Sequence, residues 1–376
     1  MMRFWACLMS DKAAITPIQK IDVAVIGDGC AGLSLAAQAA SLPEYQIHVL
    51  SPQFKASNLD HVWGYWQMDW LQDVVPLAIK TWHKWVIQTA DTEIEMAASK
   101  HPYQAVTRHK WLAHCRRRAE GNGVIFDTDM SMIDNFSSGA VFDSRPPKTR
   151  PNMMVQHFIG WEVRAEAGSF DDGKAILMDF RCDQSRGVHF IYCLPFSDSE
   201  ALVESTLFSP NIEPDGFYES AISNWLSDCA EVKLFEVLRR EKGAIPLGLM
   251  HLHDPDLKGI GGNCGAVRPS SGYAFSFIHK QIRKSIKDVA DGGQLRFVSP
   301  HKKIDLWMDR IFLSVLRYQP HYAPKIFSAL ASSLTGDEFA QFLSGEANGK
   351  LRLKVIMAMP AWPFICAMFR PEVGVR

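Results

Sequence analysis

Residues 23–36 read VAVIGDGCAGLSLA. Val23, Val25 and Ile26 form a short apolar run, glycines follow at Gly27, Gly29 and Gly32, and the chain continues with small and apolar residues at helical spacing. In the pattern GxGxxG the first glycine permits a tight turn. The second lets backbone approach a pyrophosphate, and the third lets the helix pack close to the strand. The helix N-terminus then faces the phosphates. IHVL, Ile47–Leu50, reads as the next strand, so strand, glycine loop, helix and strand predict the opening unit of a parallel dinucleotide-binding sheet. About 20 residues past the glycines, where such fingerprints usually place an acid for the ribose, the chain has Ser51. Ser51 donates a hydrogen bond but lacks the charge-assisted pair of a carboxylate, which predicts a weaker hold on the nucleotide.

The wider composition sets limits on partners. A chain of 376 residues with 47% hydrophobic content buries a sizeable core, as one large or two smaller domains. Lysine plus arginine total 40 against 41 acids, so the charge gives no footprint of a nucleic-acid groove, and a small or apolar partner is expected. The eight cysteines are scattered without a CxxC pair, which fits free thiols in a reducing, cytoplasmic compartment. The first 20 residues carry only a short apolar patch and read as a ragged leader. Val355–Phe369, VIMAMPAWPFICAMF, is too short for a span and is interrupted by Pro360 and Pro363. With Trp362 and Phe364 inside it and Arg352, Lys354 and Arg370 beside it, this stretch fits either a membrane interface or a segment packed on the core.

Along the chain, residues 60–100 are aromatic-rich and read as irregular. Lys110–Glu120 reads as a helix, with strands at Gly123–Asp127 and Ala140–Arg145. Pro146, Pro147 and Pro151 punctuate a crossover, after which VQHFIGWEV, AILMDF, VHFIYCLPF and ALVESTLF predict an antiparallel sheet. Glycine-rich sequence returns at Gly259–Phe275 as a second nucleotide-facing turn before a helix, and helical spacing runs from Leu306 onward. The expected class is α/β. A Rossmann-type domain with a parallel sheet spans 21–150 plus 251–300, an antiparallel substrate domain 151–250, and a helical region 301–376. HLH at 251–253 has no third ligand in view, so no metal site is expected.

VAVIGDGCAGLSLA, HVWGYW, VFDSR, QHFIGWEV, MDF, YCLPFSDSEALVEST, EKGAIP, GAVRPSSGYAF, MDRIFLSVL and FLSG occur in the order found in bacterial lycopene β-cyclases, which the chain resembles from Asp22 to Phe369. RPSSGYAF and LPFSDSEALVEST are the most specific parts. The resemblance implies an FAD site, an apolar tunnel for lycopene or a related linear carotene, and a non-redox ring closure that uses reduced FAD, with NAD(P)H as reductant. It also implies a cytoplasmic protein held peripherally at the inner membrane. An FAD-dependent monooxygenase on an apolar substrate and a non-catalytic flavin or carotenoid binder are the alternatives.

Closing a ring on a polyene end requires a proton for an unactivated double bond, a cation kept from water, and then proton loss from a neighbouring carbon. The acid must be a carboxyl held protonated by an apolar site. Glu204, in ALVESTLF, is the candidate and matches the first acid of the family's FLEET-type motif; a strand glutamate facing solvent or paired with a base is the other reading. The family's second acid is here Ser205, which a strand turns to the opposite face. Trp63 and Trp66 are candidates to line the substrate tunnel. By resemblance, Gly265, Arg268, Pro269 and Gly272 form the second FAD-facing turn, with a structural salt bridge as the other reading for Arg268. Glu162 and Asp179 are candidates for the substrate side, against surface or turn roles. Glu241, in EKGAIP, is a candidate second acid/base residue, against which a solvated pair with the adjacent Lys242 is the simpler reading.

Overall fold

A computed structural model describes residues 20–52 and 60–370. Its first layer is a five-stranded parallel sheet in the order Lys258–Gly259, Val141–Asp143, Ile21–Ile26, Tyr45–Leu50, Ile125–Asp127. The central strand Ile21–Ile26 is buried from Val23 on because helices cover the sheet. Cys30–Ala36, Arg108–Gly121 and Phe275–Ala290 pack through Ala31, Leu35, Ala119, Phe277 and Ile282. Continuous apolar strands between helices are what a parallel sheet requires.

The second layer is a seven-stranded sheet in the order Phe235–Leu247, Met154–Ala165, Glu200–Ser209, Val188–Pro195, Lys174–Asp179, Lys84–Gln88, Glu93–Ala97. Its pairs are antiparallel except the parallel one between Lys174–Asp179 and Lys84–Gln88. Residues 60–100, expected to be irregular, therefore contribute two strands here. Val62–Trp66 and Lys80–Trp82 form a further small sheet around Tyr103–Thr107. The aromatic side chains in this segment pack inward: Trp66, Trp82 and Trp85 are among the largest fully buried residues.

Side chains of the large sheet alternate between two environments, as the period of two in a strand demands. On one face Val203, Leu207, Ile159, Ile191 and Cys193 pack under the helix Asp215–Asp228 through Tyr218, Ile222 and Trp225. On the other face Leu202, Phe208, Phe190 and Leu177 meet the C-terminal helices Lys303–Tyr318, Ala323–Ser333, Gly336–Leu343 and Gly349–Ala358. The last two described helices, Gly349–Ala358 and Ala361–Met368, bend by 107° at the break that Pro360 ends, and no single described helix is long and apolar enough to cross a membrane.

Candidate active site

The glycine loop closes from necessity. Gly27 has φ +100°, and a Cβ at Gly32 would lie 2.0 Å from the Gly27 carbonyl oxygen, so neither position accepts a side chain in this geometry. Gly29, the N-cap of helix Cys30–Ala36, has open space around it, and Asp28 points to solvent. Ser144, one residue past the strand Val141–Asp143, supports the loop from beneath by donating its hydroxyl to the Ile26 carbonyl at 2.6 Å. Ser51 lies at the end of the neighbouring strand, its N–H donating to Asp127 O at 3.0 Å and its hydroxyl to Pro52 O at 3.4 Å.

The second glycine-rich turn packs against the first. Gly261, at φ +65°, sits where a Cβ would come within 2.4 Å of Ala31 Cβ. Asn263 donates its side-chain amide to Asp143 O, and Gln281 accepts the Gly261 N–H. Gly265 is left-handed, and a Cβ on Gly272 would meet Ile245 at 2.8 Å. Arg268 is buried, and its guanidinium holds Asp309 at 3.2 Å while donating to the carbonyls of Phe342 and Leu343 at 2.8 and 3.0 Å. Those partners account for most of its donors, so it joins the turn, where Pro269 is the next residue, to the helical region. The salt-bridge reading of Arg268 is thus the one with partners in the structure.

From Cys30 beside this loop a cavity of about 980 Å³ runs through the molecule, lined by Trp63, Trp66, Tyr103, Tyr192, Gly272 and Glu204, to Trp307, Met357 and Ile365 at the C-terminal helices. Its walls are largely apolar and aromatic. Trp63 lies tilted against Phe275, and Trp66 is enclosed by Trp85, Tyr103, Tyr273 and Phe339. Gly64 lies between these tryptophans, and a Cβ there would lie 2.0 Å from the Tyr103 hydroxyl. That space admits the hydrogen bond between Tyr103 and Tyr192, whose hydroxyls are 2.8 Å apart.

Glu204 is the carboxyl on this wall. Only 8% of it is exposed, and its one side-chain partner among the described residues is the Thr206 hydroxyl, two residues along on the same strand face. Burial, followed by the nearby Glu241 charge, raises its pKa to about 8, so it is largely protonated at neutral pH. Burial likewise raises the phenols of Tyr103, Tyr192 and Tyr273 above their usual value. Ser205 faces away and hydrogen-bonds His189 Nε2 at 2.8 Å.

Other candidates separate. Asp179 is fully buried against the helix-covered face, held by Arg181 at 2.7 Å and by the Trp225 indole N–H at 2.8 Å; the expectation that it lines the substrate side is corrected, because these partners fix it in the opposite layer. Glu162 pairs with Arg239 at 2.9 Å. Glu241 does not pair with Lys242, whose amine reaches Asp215 at the surface. Glu241 itself is buried, accepting from Arg239 at 2.9 Å and from the Val62 N–H at 3.2 Å. The three tyrosines carried no signal in the sequence, since they come together from three separate elements.

The lycopene cyclase protein family model matches residues 22–368. The chain belongs to the lycopene cyclase family. Its membership makes it an enzyme, on an α/β fold shared with flavoproteins. A lycopene β-cyclase of Pantoea ananas is 24% identical over 92% of this chain and 97% of its own. Another, from a Paracoccus species, is 26% identical over 68% of this chain and 70% of its own. Among solved structures, a flavoprotein/dehydrogenase from Cytophaga hutchinsonii superposes with a TM-score of 0.61 at 12% identity, covering 93% of this lycopene cyclase family chain and 99% of its own.

Proposed function

We propose that this family member is a lycopene β-cyclase that holds FAD, works with it reduced, and takes lycopene or a related linear carotene as substrate, with NAD(P)H as reductant. The observation that carries the reading is Glu204: a protonated carboxyl set into an apolar, aromatic wall of a cavity that starts at the dinucleotide loop. The loop fits FAD, because the bare Gly27 and Gly32 let strand, turn and helix close on one another, and Gly29 at the helix N-cap has open space before it. Gly27, Gly29 and Gly32 would hold the pyrophosphate, Ser51 the ribose, and Gly265, Pro269 and Gly272 the flavin side, with Arg268 fixing that turn. Bound and reduced, FAD would supply negative charge beside a hydrocarbon cation.

The chain's own groups do the rest. Glu204 gives its proton to the terminal double bond. The π electrons of the next double bond close the six-membered ring, and the cation on the ring then loses a proton from the adjacent carbon to the Glu204 carboxylate. One proton enters and one leaves, and no electrons are gained or lost. Trp63, Trp66 and the tyrosines offer π faces to the cation, and the apolar walls exclude water.

The same reading seats the protein peripherally on the cytoplasmic side of the inner membrane. It is supported by the cavity mouth, where Trp307, Met357, Ile365 and Met368 line the opening and are exposed, next to exposed Trp362 and Phe369. Exposed Lys303 and Lys350 stand in the first turns of the helices that carry Trp307 and Met357, and such cations favour anionic lipid.

Purified protein with reduced FAD and lycopene in anionic liposomes, held anaerobic, tests the reading. The expected result is a β-ionone product. Bound, reduced flavin with no cyclic product would end it, and oxygen uptake tied to the polyene in a parallel aerobic run would favour a monooxygenase. Ser51→Glu is expected to tighten FAD binding without changing the ring formed, measured by flavin fluorescence titration; unchanged or weaker binding counts against Ser51 at the ribose.

A further inference from the structure

Glu204 and Glu241 stand on strands that do not pair with one another. Between them runs Met154–Ala165, and its residue in register with both is Gly160. Adjacent strands lie about 4.8 Å apart, which sets these two backbones roughly 10 Å from each other. Two glutamate side chains can lean across that interval only where the middle strand offers none of its own. A Cβ on Gly160 would lie 3.0 Å from Glu241 Cγ and 3.5 Å from its Oε1. The Glu241 side chain therefore leans over the bare glycine, toward the strand that carries Glu204. Its other oxygen, Oε2, is the one that Arg239 and the Val62 N–H hold.

We propose that Glu241 is the second carboxyl of this site, a positioning residue whose charge, fixed on Arg239 and set over Gly160, keeps the proton on Glu204 and so sets the alkaline limit of turnover. The proposal rests on the reading of Glu204 as the acid. That place beside Glu204 belongs to a neighbour in space and not to its neighbour in sequence. Ser205 cannot fill it, because it faces the opposite layer.

The other groups facing this pair leave Glu241 as the charge that matters. Glu204 is approached by Thr206 on its own strand, Tyr192 on the next, and Tyr103 and Tyr273 from other elements; all are uncharged at neutral pH. Glu241 is approached by Arg239 on its own strand, by Glu162 through that same guanidinium, and by the Val62 N–H; the adjacent His61, beside Asp60 and Arg108, bonds the Lys242 carbonyl and is held toward its neutral form by burial. Burial raises both carboxyls, and Arg239 pulls only Glu241 the other way, so Glu241 is the one of the pair with a cation to hold its charge. The environments push the two carboxyls apart, which is how one becomes donor and the other stays charged.

The test follows the Glu204 proton directly. In full-length, FAD-bound protein without substrate, the infrared C=O band of the protonated carboxyl is assigned by its loss in Glu204→Gln and titrated with pH in wild type and Glu241→Gln. Removing the neighbouring charge is expected to lower the Glu204 midpoint by about one pH unit. The alkaline limb of turnover should move with it, which means roughly tenfold less cyclisation above the limb. Glu241→Asp, which keeps the charge but draws it back from Gly160, should fall between the two and serves as the deciding variant where the amide does not fold. A midpoint unmoved in either flavin-binding variant overturns the proposal. Wild-type protein that never cyclises lycopene overturns the assignment of Glu204 instead, and the infrared titration still decides the coupling.

Discussion

Glu204 and Ser205 are adjacent in the chain and inhabit opposite worlds. On the helix-covered face the polar groups beside Ser205 are held by one another: His189 bonds Ser205 and the Asp183 carbonyl, and His157 bonds Tyr218 and Ser209. On the cavity face Glu204 has one hydroxyl partner and an unusually high pKa. The first arrangement minimises the cost of burying polar groups. The second leaves a carboxyl whose proton is free to be given away. A sheet of this kind thus separates scaffold from chemistry by the alternation of its side chains.

Mutations break the comparison in a definite order. Glu204→Gln, nearly isosteric, should cut cyclisation by about 10²–10⁴-fold while flavin binding and thermal stability hold, measured by product yield and melting temperature. His157→Ala, across the sheet, should do the reverse: it opens a cavity and takes one partner from the Tyr218 and Ser209 hydroxyls, which keep their bonds to Glu213 and Asn211, and should cost about 2–4 kcal/mol in denaturant unfolding, with turnover per folded molecule unchanged. Ser205→Ala is the milder version, on the order of 1–3 kcal/mol, because His189 Nε2 loses its partner in a buried site.

The two faces should also titrate with opposite signs. Glu204 has a folded pKa of about 8, above its ordinary value near 4.5, so its contribution to stability is full below that ordinary value and is lost as pH rises toward 8. Burial lowers His157 from 6.5 to about 4, so its contribution is full above 6.5 and is lost as pH falls toward 4. Melting temperature against pH should therefore decline on both sides. Glu204→Gln should flatten the alkaline side only, by an amount on the order of a few kcal/mol at most. A variant whose alkaline slope is unchanged would show that Glu204 is ionised in the folded protein.

Much of this was legible in the sequence where local rules decide. The loop Gly27–Gly32, the strand–helix–strand order and the alternating stretches after residue 152 follow from turn sterics and side-chain period, and the structure has them. Glu204 was legible because a lone acid among apolar residues has few outcomes. The strands within 60–100 were not: Lys84–Gln88 and Glu93–Ala97 find their places against a sheet built mostly from residues more than 70 positions away, and the continuous apolar run Trp85–Ile87 hides the alternation of the first. Glu241 was read through its chain neighbour Lys242, although a strand sends consecutive side chains apart. Lys242 reaches outward to Asp215 and Glu241 turns inward to Arg239. Arg268 was read as a ligand because its motif places it by the cofactor, and its acceptors, Asp309 and two helix-end carbonyls, come from distant sequence.

That one guanidinium ties three things together: the glycine turn Gly265–Gly272, the helix Lys303–Tyr318 through Asp309, and the last carbonyls of the helix Gly336–Leu343. The elements it reaches also form the wall through which a hydrocarbon would enter, since Trp307, Met308, Phe342 and Leu343 all line the cavity. Whatever settles the turn settles the doorway. A change at Arg268 would therefore loosen the cavity entrance together with the turn.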